Sequence, residues 1–356
     1  MKQLLKYAFC LLAFSGANSS WGQYTSPFNK LPLDTVDNEY HFIVSGHFYG
    51  NRFNKTHLPT NTLLANLDWI NTSDAQMVVC LGDLFKDIQN ELSTYDTYLF
   101  QPLKIPLVNT VGNHDLSGNI YQENYGETTF YFELGGDIHL ILDSEKDNGD
   151  IVNEQLKLLK EVAEKAKNPN CHNVFIYAHR TLWKDDYEAL DGLFTDNTQS
   201  IGGTNFGEDV RPLLKEMGQD ANLYWFAGSL GTAPASFFHF KDEDCNLTFI
   251  ATAIRGLQRD AVLVVNVDGD GEVSFETKSF TGQEVQPLET YDVDFWQSEV
   301  GEEPFNWKLI PYYIELMVTH RYFWYGIGFT LFGFVVLLAI KKRRNRKRPK
   351  VSYQSK

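Results

Sequence analysis

A recurring pattern constrains this chain more than any other feature: short runs of β-branched and aromatic residues, each ending in polar side chains. The runs are HFIVSG (41–46), QMVVCLGD (76–83), IPLVNTVGNHD (105–115), IHLILDS (138–144), NVFIYAH (173–179) and LYWFAGS (223–229). Runs of this length and composition read as buried strands. Helical patterns lie between several of them. In NEQLKLLKEVAEKAK (153–167), Leu156, Leu159 and Val162 recur at spacings of three with charges elsewhere, which predicts an amphipathic helix. After residue 233 the pattern is strand only (SFFHFK, LTFIATAI, AVLVVNV, EVSFETKSF), and VDGDGE between the last two reads as a hairpin turn. The expected class is α/β with a β-rich end.

At 356 residues and 43% hydrophobic content, the chain can bury one large core or two ordinary ones. Its two ends stand apart from that core. Residues 1–23 have Lys2 and Lys6, a short apolar run and then small residues, which predicts a secretory signal peptide. Tyr322 to Ile340 carries no charge and as a helix would measure about 28 Å, enough to cross a bilayer once. KKRRNRKRPK follows, and the positive-inside rule puts residues 341–356 in the cytoplasm. The expected order is a signal peptide (1–23), a globular domain (24–285), an aromatic juxtamembrane connector (286–320), a transmembrane helix (321–340) and a basic tail (341–356). A sorting signal that is later removed is the alternative for the C-terminal span.

Residues 24–319 hold 19 basic and 46 acidic side chains, a net charge of −27. Such a domain is unsuited to nucleic acid and suited to collecting divalent cations. Beyond the signal segment only Cys80, Cys171 and Cys245 remain, which permit at most one internal disulfide and make no metal motif. Cys80, inside MVVCLGD, reads as a core residue.

Ligands in α/β proteins gather at the carboxyl ends of strands. Those ends here offer His47, Asp83, the Asn113-His114-Asp115 triplet and His179. Imidazole, amide and carboxylate groups converging from separate strands suit a Zn, Mn or Fe ion activating water. Asp115 is placed to orient the His114 imidazole, and Gly112 to let the backbone turn sharply into the site.

LGDLFKD, VGNHD and YAHRTLW, in this order and at these separations, resemble the second, third and fourth blocks of the calcineurin-like metallophosphoesterases. YGETTFYFELGGDIHLILDSE (125–145) is similar to the segment that joins those blocks, and the resemblance covers roughly residues 40–280. It implies a four-layer αββα β-sandwich flanked by helices and a site with two bridged metal ions. By the same resemblance Asp83 would bridge the ions, Asn113 and His179 would bind the second, His47 would serve the first, and His114 would protonate the leaving oxygen, with Asp115 as its orienting partner.

The pattern is broken at three positions. Ser45 stands where the first block of the family has an aspartate, and Ser229 and Gly231 stand where the last block has two histidines. What remains suits one divalent ion, or none. The sequence therefore predicts a membrane-anchored extracytoplasmic hydrolase of phosphate mono- or diesters with a reduced site. The alternative is a catalytically dead relative that binds a phosphorylated ligand or serves as an envelope scaffold or receptor.

Overall fold

The computed structural model describes residues 24–194, 204–231, 233–299 and 321–346, together with Ile314 and Val318. The predicted signal segment, most of the predicted connector beyond residue 299 and the tail beyond residue 346 lie outside the described residues.

Eleven strands are described: β1 (Tyr40–Ser45), β2 (Val78–Cys80), β3 (Leu107–Asn109), β4 (Phe130–Leu134), β5 (Asp137–Ile141), β6 (Asn173–Ala178), β7 (Asn222–Ala227), β8 (Phe237–Asp242), β9 (Leu247–Thr252), β10 (Ala261–Val267) and β11 (Val273–Ser279). They form two sheets, in the orders β11-β10-β1-β2-β3 and β4-β5-β6-β7-β9-β8. Parallel pairing links β1, β2 and β3, and likewise β5, β6, β7 and β9. The hairpin expected at VDGDGE joins antiparallel β10 and β11, with Val267 opposite Val273.

Alternation along the strands decides what each face meets. In β1, Phe42 and Val44 enter the layer between the sheets, while Ile43 faces outward. In β6, Phe175 and Tyr177 enter that same layer, while Val174 and Ile176 face the other way. Helices α1 (Asn61–Ala65), α2 (Leu67–Asn71), α3 (Ile88–Tyr95) and α4 (Ile120–Tyr125) follow strands of the first sheet. Leu63, Ile70, Ile88 and Tyr121 from them share one core with Ile43 and Val78. Helices α5 (Asn153–Ala166), α6 (Arg211–Met217) and α7 (Val293–Glu299) belong to the second sheet. Leu159, Val162, Leu214 and Trp296 pack there with Trp225. The result is helix, sheet, sheet, helix, as expected.

The amphipathic helix forms as predicted, but its buried stripe is Gln155, Leu159, Val162, Ala163 and Ala166, and Leu156 is only half-buried. The Gln155 carboxamide is turned to use there. Its oxygen accepts the backbone N–H of Asp143 at 2.8 Å, and its nitrogen donates to the Asp143 carbonyl.

One buried polar group lies within the sandwich layer. The His139 ring stacks on Phe132 with centroids 5.0 Å apart, and its Nδ1 and Nε2 lie 2.9 and 3.2 Å from the hydroxyls of Tyr177 and Tyr40. Burial pulls its pKa down to about 3, so the ring is neutral. Cys80, Cys171 and Cys245 are all buried and free.

The chain divides into two compact units, residues 1–300 and 301–356. The second contains α8 (Arg321–Arg346). Within it, Phe323–Lys342 has a mean hydropathy of 2.1, and this is the one described helix long and apolar enough to cross a membrane.

Candidate metal centre

The strand ladders stop before the predicted site residues His47, Asp83, Asn113 and His179. Strand β1 ends at Ser45, β2 at Cys80, β3 at Asn109, β6 at Ala178 and β7 at Ala227. The polar residues therefore occupy the turns beyond the strands, where the backbone is free to change direction. Two of them do so at a steric cost. His47 and Asp83 have φ of 57° and 56°, a region that side chains with a Cβ seldom occupy.

The two sheets meet along this rim. Gly46 bridges to Ala253, and the N–H of Ile254 bonds back to the Gly46 carbonyl at 3.1 Å. A Cβ at Gly82, where φ is 83°, would stand 2.5 Å from His179 Nδ1. Gly112 does not work as the sequence suggested. Its φ is −103°, which any residue adopts, and its value is clearance, since a Cβ there would lie 2.3 Å from Asp83 N.

Three predicted ligands come together. His47, Asp83 and His179 are buried, and one ligand atom from each lies within 4.8 Å of the others. His47 Nδ1 is 3.3 Å from Asp83 Oδ2, and His179 Nε2 is 3.7 Å from Asp83 Oδ1, neither with hydrogen-bond geometry. The Nδ1 of His179 donates to the Leu81 carbonyl at 2.7 Å, which leaves Nε2 as a lone-pair atom facing Asp83. Both ring nitrogens of His47 and Nε2 of His179 are buried without a hydrogen-bond partner. Burial holds the pKa of His47 well below the usual imidazole range, assisted by the charge of Arg255 and by His179 and His114. Imidazole nitrogens buried without a hydrogen-bond partner beside a carboxylate are the donor set that a divalent ion takes. The residues present thus fit one such ion.

Asp83 is held by a second layer of buried carboxylates. Asp115 Oδ2 accepts the backbone N–H groups of Asp83 and Gly112, and Oδ1 accepts that of Phe85, each at 2.9 Å. Glu91 Oε2 accepts those of Lys86 and Asp87 at 2.8 and 3.0 Å, while its Oε1 lies 2.9 Å from His57 Nδ1. Four amides of the loop 83–87 are therefore tied by two carboxylates. Burial and the neighbouring charge of Asp83 push the Asp115 pKa up to about 7, against the pull of the backbone donors.

This arrangement corrects the expected pairing of Asp115 with the His114 ring. Asp115 spends its oxygens on backbone amides, and the ring nitrogen Nδ1 of His114 instead lies 3.1 Å from the Lys86 carbonyl. His114 is half-buried, its ring centroid 4.9 Å from that of Tyr49, and its backbone N–H donates to Asp83 Oδ1 at 3.0 Å. Asn113 opens the same 3₁₀ turn, Asn113–Asp115, half-buried and with no side-chain hydrogen bond to a described residue.

The replaced positions lie in the same rim. Ser45 is fully buried and its Oγ has no partner. Ser229 is buried, its N–H bonded to the His179 carbonyl at 2.9 Å, and Gly231 has φ of 65°. Two further polar residues of the chain, Asp87 and His239, are engaged elsewhere. Asp87 bonds to Asn90, and His239 lies on β8 with its N–H on the Tyr291 carbonyl. Sequence reasoning missed Glu91, Tyr49 and Arg255. Tyr49 and Glu91 sit a few residues past a quoted run and Arg255 directly after one, with no pattern of their own to mark them.

Fold and cluster together define a metallophosphoesterase-type α/β sandwich with a three-residue ligand group at its sheet ends. Residues 56–216 match the family model of the calcineurin-like phosphoesterases. The match begins after His47 and ends before Ser229 and Arg255. Among solved structures, a purple acid phosphatase from yellow lupin (Lupinus luteus) seeds is 11% identical, with a TM-score of 0.48, over 72% of this chain. The alignment spans 55% of that phosphatase, about half its length. A dimetal phosphatase from Danio rerio is 13% identical over 69% of this chain and 100% of its own, with a TM-score of 0.44. A search of curated proteins found no match.

Proposed function

We propose that this chain is a membrane-anchored, extracytoplasmic phosphoesterase that works with one divalent ion. The observation that carries this reading is the set of orphaned nitrogens of His47 and His179 around Asp83, in a chain whose residues 56–216 match a phosphoesterase family model. His47, Asp83 and His179 would hold the ion, with Asn113 as a further oxygen donor. When bound, such an ion supplies Lewis-acid polarisation of a phosphoryl oxygen.

The protein's own groups do the rest. His114, with its Nδ1 proton directed at the Lys86 carbonyl, keeps Nε2 for proton exchange. Protonated, Nε2 would give its proton to the leaving oxygen as the phosphorus–oxygen bond breaks, while water adds to phosphorus in line with that bond and its released proton returns to Nε2 or passes to solvent. The ties from Asp115 and Glu91 to the loop 83–87 keep Asp83 in a strained conformation without rearrangement during the reaction. Helix α8 supplies the anchor, and the basic residues that follow favour a cytoplasmic tail.

A second reading has one specific observation behind it. Ser45, neutral and buried with an unpartnered hydroxyl, stands where the family resemblance calls for a carboxylate, which favours a site that binds a phosphorylated ligand without hydrolysing it. The two readings separate on the full-length protein in detergent. Metal content is measured by mass spectrometry and hydrolysis of an aryl phosphate is followed with added Mn, Zn or Fe. Turnover that disappears in Asp83→Ala supports the hydrolase, and bound metal with no turnover supports the binding protein. Carbonate extraction and protease protection of membranes test the anchor and its orientation.

A further inference from the structure

The loop that follows β9 carries two arginines, Arg255 and Arg259, and among the described residues neither makes an ion pair within 4.0 Å. Arg255 is half-buried, and its Nε is sealed from solvent without a hydrogen-bond partner. The carboxylate nearest in sequence, Asp260, is spent on neutral donors. Its Oδ1 accepts the Arg255 N–H, and its Oδ2 accepts the Gly256 N–H and the Thr62 hydroxyl. A guanidinium that gives up water without gaining a counter-ion is costly. Burial lowers the pKa of both arginines, that of Arg259 to about 10, and the charge of Arg255 adds to the effect on Arg259.

The backbone fixes where this unspent charge lies. Two residues before Arg255, Ala253 bridges to Gly46, the neighbour of His47. The Arg255 carbonyl accepts a hydrogen bond from the Asn51 carboxamide, which ties it to the turn that carries His47 and Tyr49. After burial, Arg255 is the largest influence on the His47 ring, and Asp83 and Tyr49 in turn act on Arg255. The backbone of Arg255 therefore lies on the same rim as the proposed metal ligands, beside the turn that follows Ser45. With a neutral, buried serine at position 45 in place of a carboxylate, the charge of Arg255 is not offset from that side, and a guanidinium presents a planar fork of donors to tetrahedral oxyanions.

We propose that Arg255 is an anion-binding residue that grips the phosphoryl oxygens of the ligand, supplying the positive charge that the replaced half of the metal centre no longer gathers. This rests on the phosphoester reading above for the class of ligand.

The test is binding of inorganic phosphate to the full-length protein in detergent, by titration calorimetry with and without Mn²⁺, alongside Mn²⁺ binding and aryl phosphate turnover. Arg255→Gln is expected to weaken phosphate binding at least tenfold while Mn²⁺ affinity stays within twofold, and Arg255→Lys is expected to recover part of the loss. Phosphate affinity unchanged in Arg255→Gln, or no phosphate binding by the wild-type protein, overturns the proposal. Loss of phosphate binding in a protein without turnover would sink the hydrolase reading and leave this one standing. Turnover with phosphate binding indifferent to Arg255 would do the reverse. Should Arg255→Gln not fold, phenylglyoxal labelling of the wild-type protein decides: phosphate must shield Arg255 from modification, and equal labelling with and without phosphate overturns the proposal.

Discussion

The Asp115 carboxylate accepts the backbone N–H of Asp83 at 2.9 Å, although 32 residues separate the two in sequence. Through that bond and its partners at Phe85 and Gly112, one buried acid holds in place the carboxylate of another. The pair explains why the triplet Asn113-His114-Asp115 sits beside the glycine-aspartate turn after β2: the third residue builds the floor on which the site rests.

Asp115→Asn should therefore damage the frame before the chemistry. An amide offers one acceptor oxygen to three backbone donors, and an unsatisfied buried donor costs about 1–3 kcal/mol. The expected result is a stability loss of about 2–3 kcal/mol in thermal unfolding, with weaker metal binding in the fraction that stays folded. Unchanged stability would show that the carboxylate is not what ties the loop.

Glu91→Gln tests the other tie without touching a proposed ligand. One oxygen remains for the amides of Lys86 and Asp87, while the charged partner of His57 is lost. Because the His57 side chain is largely exposed, the loss falls mainly on the loop, and a modest drop of about 1 kcal/mol is expected. The drop should be the same in 0.05 and 0.5 M salt, since the backbone bonds are buried; a loss that vanishes at high salt would point to the ion pair instead.

Gly82→Ala should abolish metal binding. The added Cβ would meet His179 Nδ1 at 2.5 Å, on a backbone with φ of 83° that alanine resists. His179 would have to give up its bond to the Leu81 carbonyl, and with it the orientation of Nε2. Metal stoichiometry near zero, alongside a lowered melting temperature, is the expected outcome. Full metal content would mean that His179 is not a ligand.

His139 makes the fold sensitive to acid. Its folded pKa of about 3 lies below the ordinary imidazole value, so the unfolded chain takes up the proton first. The stability this neutral ring contributes is complete above about pH 6.5 and is lost as pH falls toward 3, at up to about 1.4 kcal/mol per pH unit. His139→Phe should lower stability at pH 7, because the Tyr177 hydroxyl loses its partner, but flatten the decline between pH 6.5 and 4. Parallel curves for the two proteins would exclude His139 as the acid-sensitive group.

Much of this molecule is legible in one dimension. Strand runs, the helix at 153–166, the hairpin at 268–272 and an apolar C-terminal span are local, because residue spacing alone decides which side chains share a face. The same locality makes His47, Asp83 and His179 stand out, each at the end of its own strand. Their meeting within 4.8 Å, by contrast, depends on two sheets closing against each other at Gly46 and Ala253. Pairing of β2 with β3 turned Asp115 toward the amides of the loop 83–87 and away from His114, and the closure at Gly46 and Ala253 brought the Arg255 backbone to the turn that carries His47. Hydrogen bonds and charges act over a few ångströms of space whatever the distance along the chain, so these roles exist only once the strands have paired and the sheets have closed.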